Sequence, residues 1–264
     1  MIEHNGHAVG DLVAGRFALL ARLGGSGTRT VWKARDLAAE RDIALKELRP
    51  SAPAGPGPTD LARQRVLREA RALARIGHAN LATVHDVLNH RPHPWLVMEL
   101  VAGQSLRDVV DHCPLSPAAA AHVGLDVLAA LRSSHAAGVL HRDVEPGNVL
   151  IRPDGSAVLT GFRIAALAAL AGPTEPGRAP GHVAPEELDG GAAGPASDLW
   201  SLGLLLRVCV RGHHPERRTP PPRADRLAPV IDALLARDPA QRLNETRLAR
   251  LLHDVIAAEA DRRI

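Results

Sequence analysis

The chain has 264 residues, 45% hydrophobic and 23% charged, a balance that excludes a disordered segment and allows one large domain or two small lobes. A net charge of +3 dictates no partner, and an aromatic content of 2% without a single tyrosine excludes a nucleic-acid surface built on stacked rings. Only two of the 32 basic residues are lysine, Lys33 and Lys46, so a lysine at a chemically meaningful position carries weight.

In chain order, residues 16–23, 30–34 and 43–48 read as three short strands, the first two separated by the turn-forming GGSG at 24–27. Residues 50–58, PSAPAGPGP, read as a flexible linker. Helical spacing is clearest over 60–76, where Val66, Leu67, Ala70, Leu73 and Ala74 share one face. Strands follow at 81–88 and 95–101, and then the pattern turns helical over 117–137, 198–211, 227–236 and 245–258, with Asp225 and Asn244 placed to cap the last two. The change of pattern at 99–103 divides a small β-rich lobe, about 12–100, from a larger α-rich one, about 101–264, within a single domain. One hairpin interrupts the helical half: NVLIR at 148–152 and AVLTG at 157–161 flank the turn tetrad PDGS. Symmetric closure of that loop sets 152 against 157 and therefore Asn148 against Gly161, side by side at the open end.

Several features bound the setting. Cys113 and Cys209 lie too far apart for a CxxC metal or redox motif, and the first residues lack the basic and apolar regions of a signal peptide. The longest apolar stretch, 199–210, carries Arg207 and is too short to span a bilayer. These point to a reduced, cytoplasmic protein with no membrane segment.

Residues 141–150, HRDVEPGNVL, resemble the catalytic loop of bacterial Hanks-type serine/threonine protein kinases. The motif leads into the hairpin, whose second strand, VLTGFRIA at 158–165, is similar to the family's LTDFGIA segment. Ala184-Pro185-Glu186 stands where the APE triplet belongs. Asp198-Leu199-Trp200-Ser201-Leu202-Gly203 resembles the helix that braces the catalytic loop, and RDPAQR at 237–242 the late motif whose arginine pairs with the APE glutamate. The order and spacing hold over residues 15–258. The resemblance implies an α+β, bilobal protein-kinase fold with one helix in a β-rich N-lobe and a larger α-helical C-lobe.

It also implies roles, residue by residue. Lys46 and Glu69 are placed as the lysine–glutamate pair that holds the phosphates of ATP; the alternative for Glu69, which borders the apolar stripe, is a solvated charge paired with Arg65 on its own helix. Val31, Ala44 and Leu150 resemble the residues around the adenine, and Met98, Glu99 and Val101 the gatekeeper and hinge. Of the phosphate loop's glycines only Gly24 keeps its place. Asp143 stands at the catalytic base, and Glu186, Asp198 and Arg242 at structural positions.

The departures concern chemistry. Kinases hold Mg²⁺ through an aspartate and the catalytic-loop asparagine. Here Asn148 remains, while the aspartate position is Gly161. The loop lysine that faces the γ-phosphate in the family is Glu145, a charge reversal, and Arg163 replaces the glycine after Phe162. Between Asp143 and Glu186 the only serines and threonines are Ser156, Thr160 and Thr174, of which Thr174 is the lone plausible activation-segment phosphosite, and the Pro-rich stretch after Gly212 shortens the region that carries a substrate-docking helix in relatives. The resemblance therefore implies a pseudokinase that binds ATP without efficient metal-dependent transfer and works through a protein partner. The alternatives are an active serine/threonine kinase with an atypical metal site, in which Glu145 supplies the missing carboxylate, and an anion- or nucleic-acid-binding module using Arg63, Arg65, Arg68, Arg71 and Arg75. No residue set is a confident metal site.

Overall fold

The computed structural model describes residues 7–24, 30–49, 60–90, 92–164, 183–212 and 226–260. The remainder of the phosphate loop, the 50–58 linker, Thr174, Asp225 and the Pro-rich stretch lie outside the described residues. The described residues of Met1–Gly77, Ala82–Val101 and Arg163–Gly177 form one compact unit, and those of His78–Leu81, Ala102–Phe162 and Arg178–Ile264 a second.

The first unit is a six-stranded antiparallel sheet. Its strands are β1 (Leu12–Val13), β2 (Phe17–Gly24), β3 (Val31–Asp36), β4 (Arg41–Glu47), β5 (Val84–Leu88) and β6 (Trp95–Glu99), in the spatial order β1-β2-β3-β4-β6-β5. Strict alternation in β3 sends Trp32, Ala34 and Asp36 inward, as a period of two requires. Phe17, Leu19, Trp32, Ile43, Leu45, Trp95 and Val97 fill the core. Asp36 is fully buried and answered by Arg16, whose Nε and Nη2 each donate at 2.7 Å, so its carboxyl is held down to about 2. Helix α1 (Asp60–Leu73) buries Val66, Leu67, Ala70 and Leu73 on the expected face. It stops earlier than its periodicity predicts because Arg75 and Ile76 donate to Ala72 and Leu73, an i→i+3 tightening that ends the α-helix.

Arg63 departs from the expected basic face. It is buried, and its guanidinium donates to Asn89 Oδ1, to His90 O at 2.9 Å and to Pro92 O at 2.9 Å, so it ties α1 to the β5–β6 turn. Arg65, Arg68, Arg71 and Arg75 are exposed.

The second unit is built on helices α2 (Leu106–His112), α3 (Pro117–Ala136), α4 (Pro185–Leu188), α5 (Pro195–Arg211), α6 (Ala228–Leu234) and α7 (Glu245–Ala260), with a small sheet β7-β8-β9 of Gln104–Ser105, Val149–Ile151 and Ala157–Leu159. Apolar α5 is buried along most of its length, packing on α3 and α6, and α3 packs on α7. Asn244 caps α7 as expected, its Oδ1 accepting from Arg247 N–H at 2.9 Å. Cys209 is buried inside α5, where desolvation pushes its thiol up to about 12, whereas Cys113, at the end of α2, is exposed. No helix among the described residues is long and apolar enough to cross a membrane.

Candidate active site

The hairpin fixes the loop that carries the kinase-like motif. Val149 pairs with Leu159, Leu150 with Val158 and Ile151 with Ala157. This register is one residue away from symmetric closure around PDGS: a three-residue turn, with Arg152 N–H donating to Ser156 O, sets Asn148 opposite Thr160 rather than Gly161. Gly161 still reaches Asn148, by a different route. Its backbone is left-handed, φ +83°, and this bend brings the next position back over the asparagine. A Cβ added at Gly161 would lie 2.4 Å from Asn148 Oδ1 and 2.5 Å from its Cγ, closer than nonbonded atoms approach. The asparagine side chain thus fills the space that a side chain at 161 would enter.

Asn148 is turned toward the catalytic-loop acid. Its Nδ2 donates to Asp143 O at 2.8 Å and to Asp143 Oδ2 at 3.0 Å, while its backbone O accepts from Thr160 N–H at 2.7 Å. His141 closes the network. Its Nδ1 accepts from Asp143 N–H at 3.2 Å and its Nε2 lies 2.8 Å from Thr160 O, a pure acceptor, which defines the neutral ring with the proton on Nε2. The ring packs on Phe162 with centroids 4.4 Å apart.

Asp198, at the start of α5, braces this loop from below. Its Oδ2 accepts His141 N–H at 2.9 Å and its Oδ1 accepts Arg142 N–H at 2.8 Å, which holds Arg142 at φ +65°, a conformation costly for a residue with a Cβ. His135 of α3 lies between two acids, Nε2 at 2.8 Å from Asp198 Oδ2 and Nδ1 at 2.8 Å from Glu245 Oε1. Burial works against its charge, but the hydrogen bonds to Asp198 and Glu245 prevail and raise its pKa. Burial likewise opposes ionisation of Asp198, and the bonds from His135, Arg142 and His141 outweigh it, keeping the carboxyl below its usual range.

Glu186 and Arg242 meet as the motif implies. Two guanidinium nitrogens bridge the carboxylate, Ser197 Oγ donates to it at 2.7 Å, and Trp200 lies under the guanidinium at 5.1 Å. The Arg242 hydrogen bond, above all, depresses the Glu186 carboxyl to about 2.

Glu145 has an opposite charge beside it that motif spacing does not announce: Arg107 of α2, Nη2 to Oε2 at 3.5 Å. His135, Glu245, Ser197 and Arg107 are the residues that sequence reasoning missed. A hint existed for α2 alone, since Ser105 and Asp108 have the spacing of a capping box, and Ser105 Oγ indeed accepts Asp108 N–H at 3.1 Å.

Most of the remaining expected residues belong to the first unit. Lys46 pairs in register with Val31 and Leu96, Ala44 with Lys33 and Met98, and Ile43 with Glu99. Gly24 ends β2 opposite Val31, Val101 follows β6, Glu69 is half-buried on α1, and Arg163 belongs to this same unit. Leu150 belongs to the second, paired with Ser105 and Val158.

A hard divalent cation requires several oxygen ligands. At the motif's metal position the chain offers the Asn148 amide, engaged with Asp143, and no side chain at 161, and no described cluster of three or more His, Cys, Asp or Glu side chains could hold a metal.

The combination of an antiparallel sheet with one helix, a helical unit bearing an HRD loop on a hairpin, and a partly buried Glu186–Arg242 bridge defines a protein kinase fold, and the family model for the protein kinase domain matches residues 17–255. The chain belongs to the protein kinase family, of the bacterial Hanks-type serine/threonine group. It is 37% identical over 208 residues to the serine/threonine-protein kinase PknL of Mycobacterium tuberculosis, covering 77% of this chain and 51% of PknL. It is 33% identical over 263 residues to PknA of the same species, covering 89% of this chain and 59% of PknA. The crystal structure of the Mycobacterium tuberculosis PknI kinase domain matches with a TM-score of 0.75 at 26% identity, over 95% of this chain and 100% of that one. The chain thus spans about half the length of the curated relatives it matches.

Proposed function

We propose that this chain is a pseudokinase domain, a cytoplasmic kinase-fold regulator that takes ATP without efficient metal-dependent phosphoryl transfer and acts through a protein partner. The observation that carries this reading is the occupation by Asn148 of the space beside Gly161, where a metal-binding carboxylate would have to stand. Lys46, Glu69, Ala44, Val31, Met98, Glu99, Val101, Gly24 and Leu150 would serve the nucleotide. Asp143 is retained as a brace of the loop through Asn148.

A second reading, an active serine/threonine kinase with an atypical metal site, draws on the survival of Asp143 and on the names of the relatives. Calorimetric titration of ATP in EDTA, then with Mg²⁺ or Mn²⁺, separates the two, with Lys46→Met as control. The pseudokinase reading expects binding that Lys46→Met abolishes and metal leaves unchanged. Metal-tightened binding accompanied by γ-phosphate transfer that Asp143→Asn removes overturns it.

A further inference from the structure

Arg107 occupies the first turn of α2, where the helix dipole disfavours a cation. Its partner is not the neighbouring Asp108, which is tied to its own cap by Ser105 Oγ at 2.6 Å. The guanidinium instead reaches the 3₁₀ turn Pro146–Asn148, and a Cβ at Gly147 would lie 3.2 Å from Arg107 Nε and 3.2 Å from Glu145 Oε1, so both charged groups rest over a residue with no side chain. The contact is long, 3.5 Å, and open to solvent, with Arg107 42% and Glu145 26% exposed. An ion pair of this kind is weakly held and readily exchanged. Asp143, the other acid of the loop, is hydrogen-bonded by Asn148. A guanidinium is the side chain best shaped to bind a phosphate through two parallel N–H donors.

We propose that Arg107 is a phosphate-binding cation of the catalytic-loop unit and that Glu145 is its built-in competitor, so that the loop turns away the more highly charged end of a nucleotide. This rests on the ATP binding proposed above, and it specifies the ligand: an adenine compound with few phosphates is preferred to a triphosphate. Glu145 acts by occupying Arg107, so that removing its charge frees the guanidinium for phosphate oxygens.

The test is calorimetry of the full chain in EDTA with ATP and with uncharged adenosine, on the parent, Glu145→Gln, Arg107→Ala and the double variant, each first shown folded by its melting curve. Glu145→Gln should tighten ATP about tenfold, equivalent to ~1.4 kcal/mol, and leave adenosine within about twofold. The double variant should lose that gain. An unchanged ATP affinity in Glu145→Gln, an equal change for adenosine, or a gain that survives Arg107→Ala overturns the proposal. If no adenine compound binds any variant, the nucleotide reading fails by itself. Sodium tripolyphosphate then becomes the probe: tighter binding by Glu145→Gln that needs Arg107 sustains the assignment, and its absence overturns it.

Discussion

Gly161→Ala is expected to destabilise the protein far more than a single methyl suggests. A Cβ at a left-handed residue costs about 1–2 kcal/mol by itself, and φ is +83° here. The new carbon would also meet Asn148 at 2.4 Å, so the amide must swing away and surrender its bonds to Asp143 O and Oδ2, each about 1 kcal/mol. The combined effect is about 2–4 kcal/mol, which for a chain of this size lowers the melting temperature by roughly 5–15 °C. Differential scanning calorimetry of Gly161→Ala, Asn148→Gly and the double variant tests the mechanism. With Asn148 truncated the collision disappears, so the double variant should be more stable than additivity allows by about 1 kcal/mol or more. By the same logic Gly161→Asp alone should gain no Mg²⁺ affinity. Strict additivity of the cycle, or a Gly161→Asp variant that binds Mg²⁺ without loss of stability, would refute the reasoning.

Arg242→Ala leaves the Glu186 carboxylate without its guanidinium and should cost about 3–5 kcal/mol in urea unfolding, whereas an exposed arginine such as Arg250 should cost almost nothing. Glu186 and Asp36 have carboxyls depressed to about 2, so their contribution is present above roughly pH 4 and disappears as pH falls toward 2; acid titration of stability should show that loss, reduced in Glu186→Gln. The raised pKa of His135 acts in the opposite sense. Its stabilisation is complete below the ordinary histidine value of 6.5 and declines as pH rises past it, so the parent should lose stability toward alkaline pH and His135→Asn should show a flatter curve. Arg63→Ala should destabilise by about 2–4 kcal/mol, because three oxygens lose their donor, and leave any weak DNA binding with an unaltered salt dependence.

Much of the fold could be read from the residues because periodicity and motif agree: the alternation of β3, the apolar stripe of α1 and the loop–hairpin–helix order each specify one arrangement. The motif positions Glu186 and Arg242 met because both are fixed by flanking short turns. What could not be read depended on partners brought from elsewhere in the chain. The charge at Glu145 was visible but Arg107 was not, since its helix is seven residues long and leaves a faint apolar pattern. Arg63 resembled its exposed neighbours until the β5–β6 turn supplied acceptors for it. The hairpin register failed by one residue because turn composition does not distinguish a three-residue turn from a four-residue one. Gly161 meets Asn148 all the same, because its left-handed bend, invisible in the residue string, restores the contact that the register alone would have lost.

The two thiols give the protein a pair of independent chemical clocks. Cys113 stands in solvent at the end of α2, six residues beyond Arg107, and should be alkylated by maleimide within seconds to carry a dye that senses movement of that helix. Cys209, sealed within α5 and held protonated far above neutrality, should react only when the helical unit opens. A single labelling time course, read by peptide mass, would therefore report the exposed surface in its fast phase and the lifetime of the folded helical unit in its slow one.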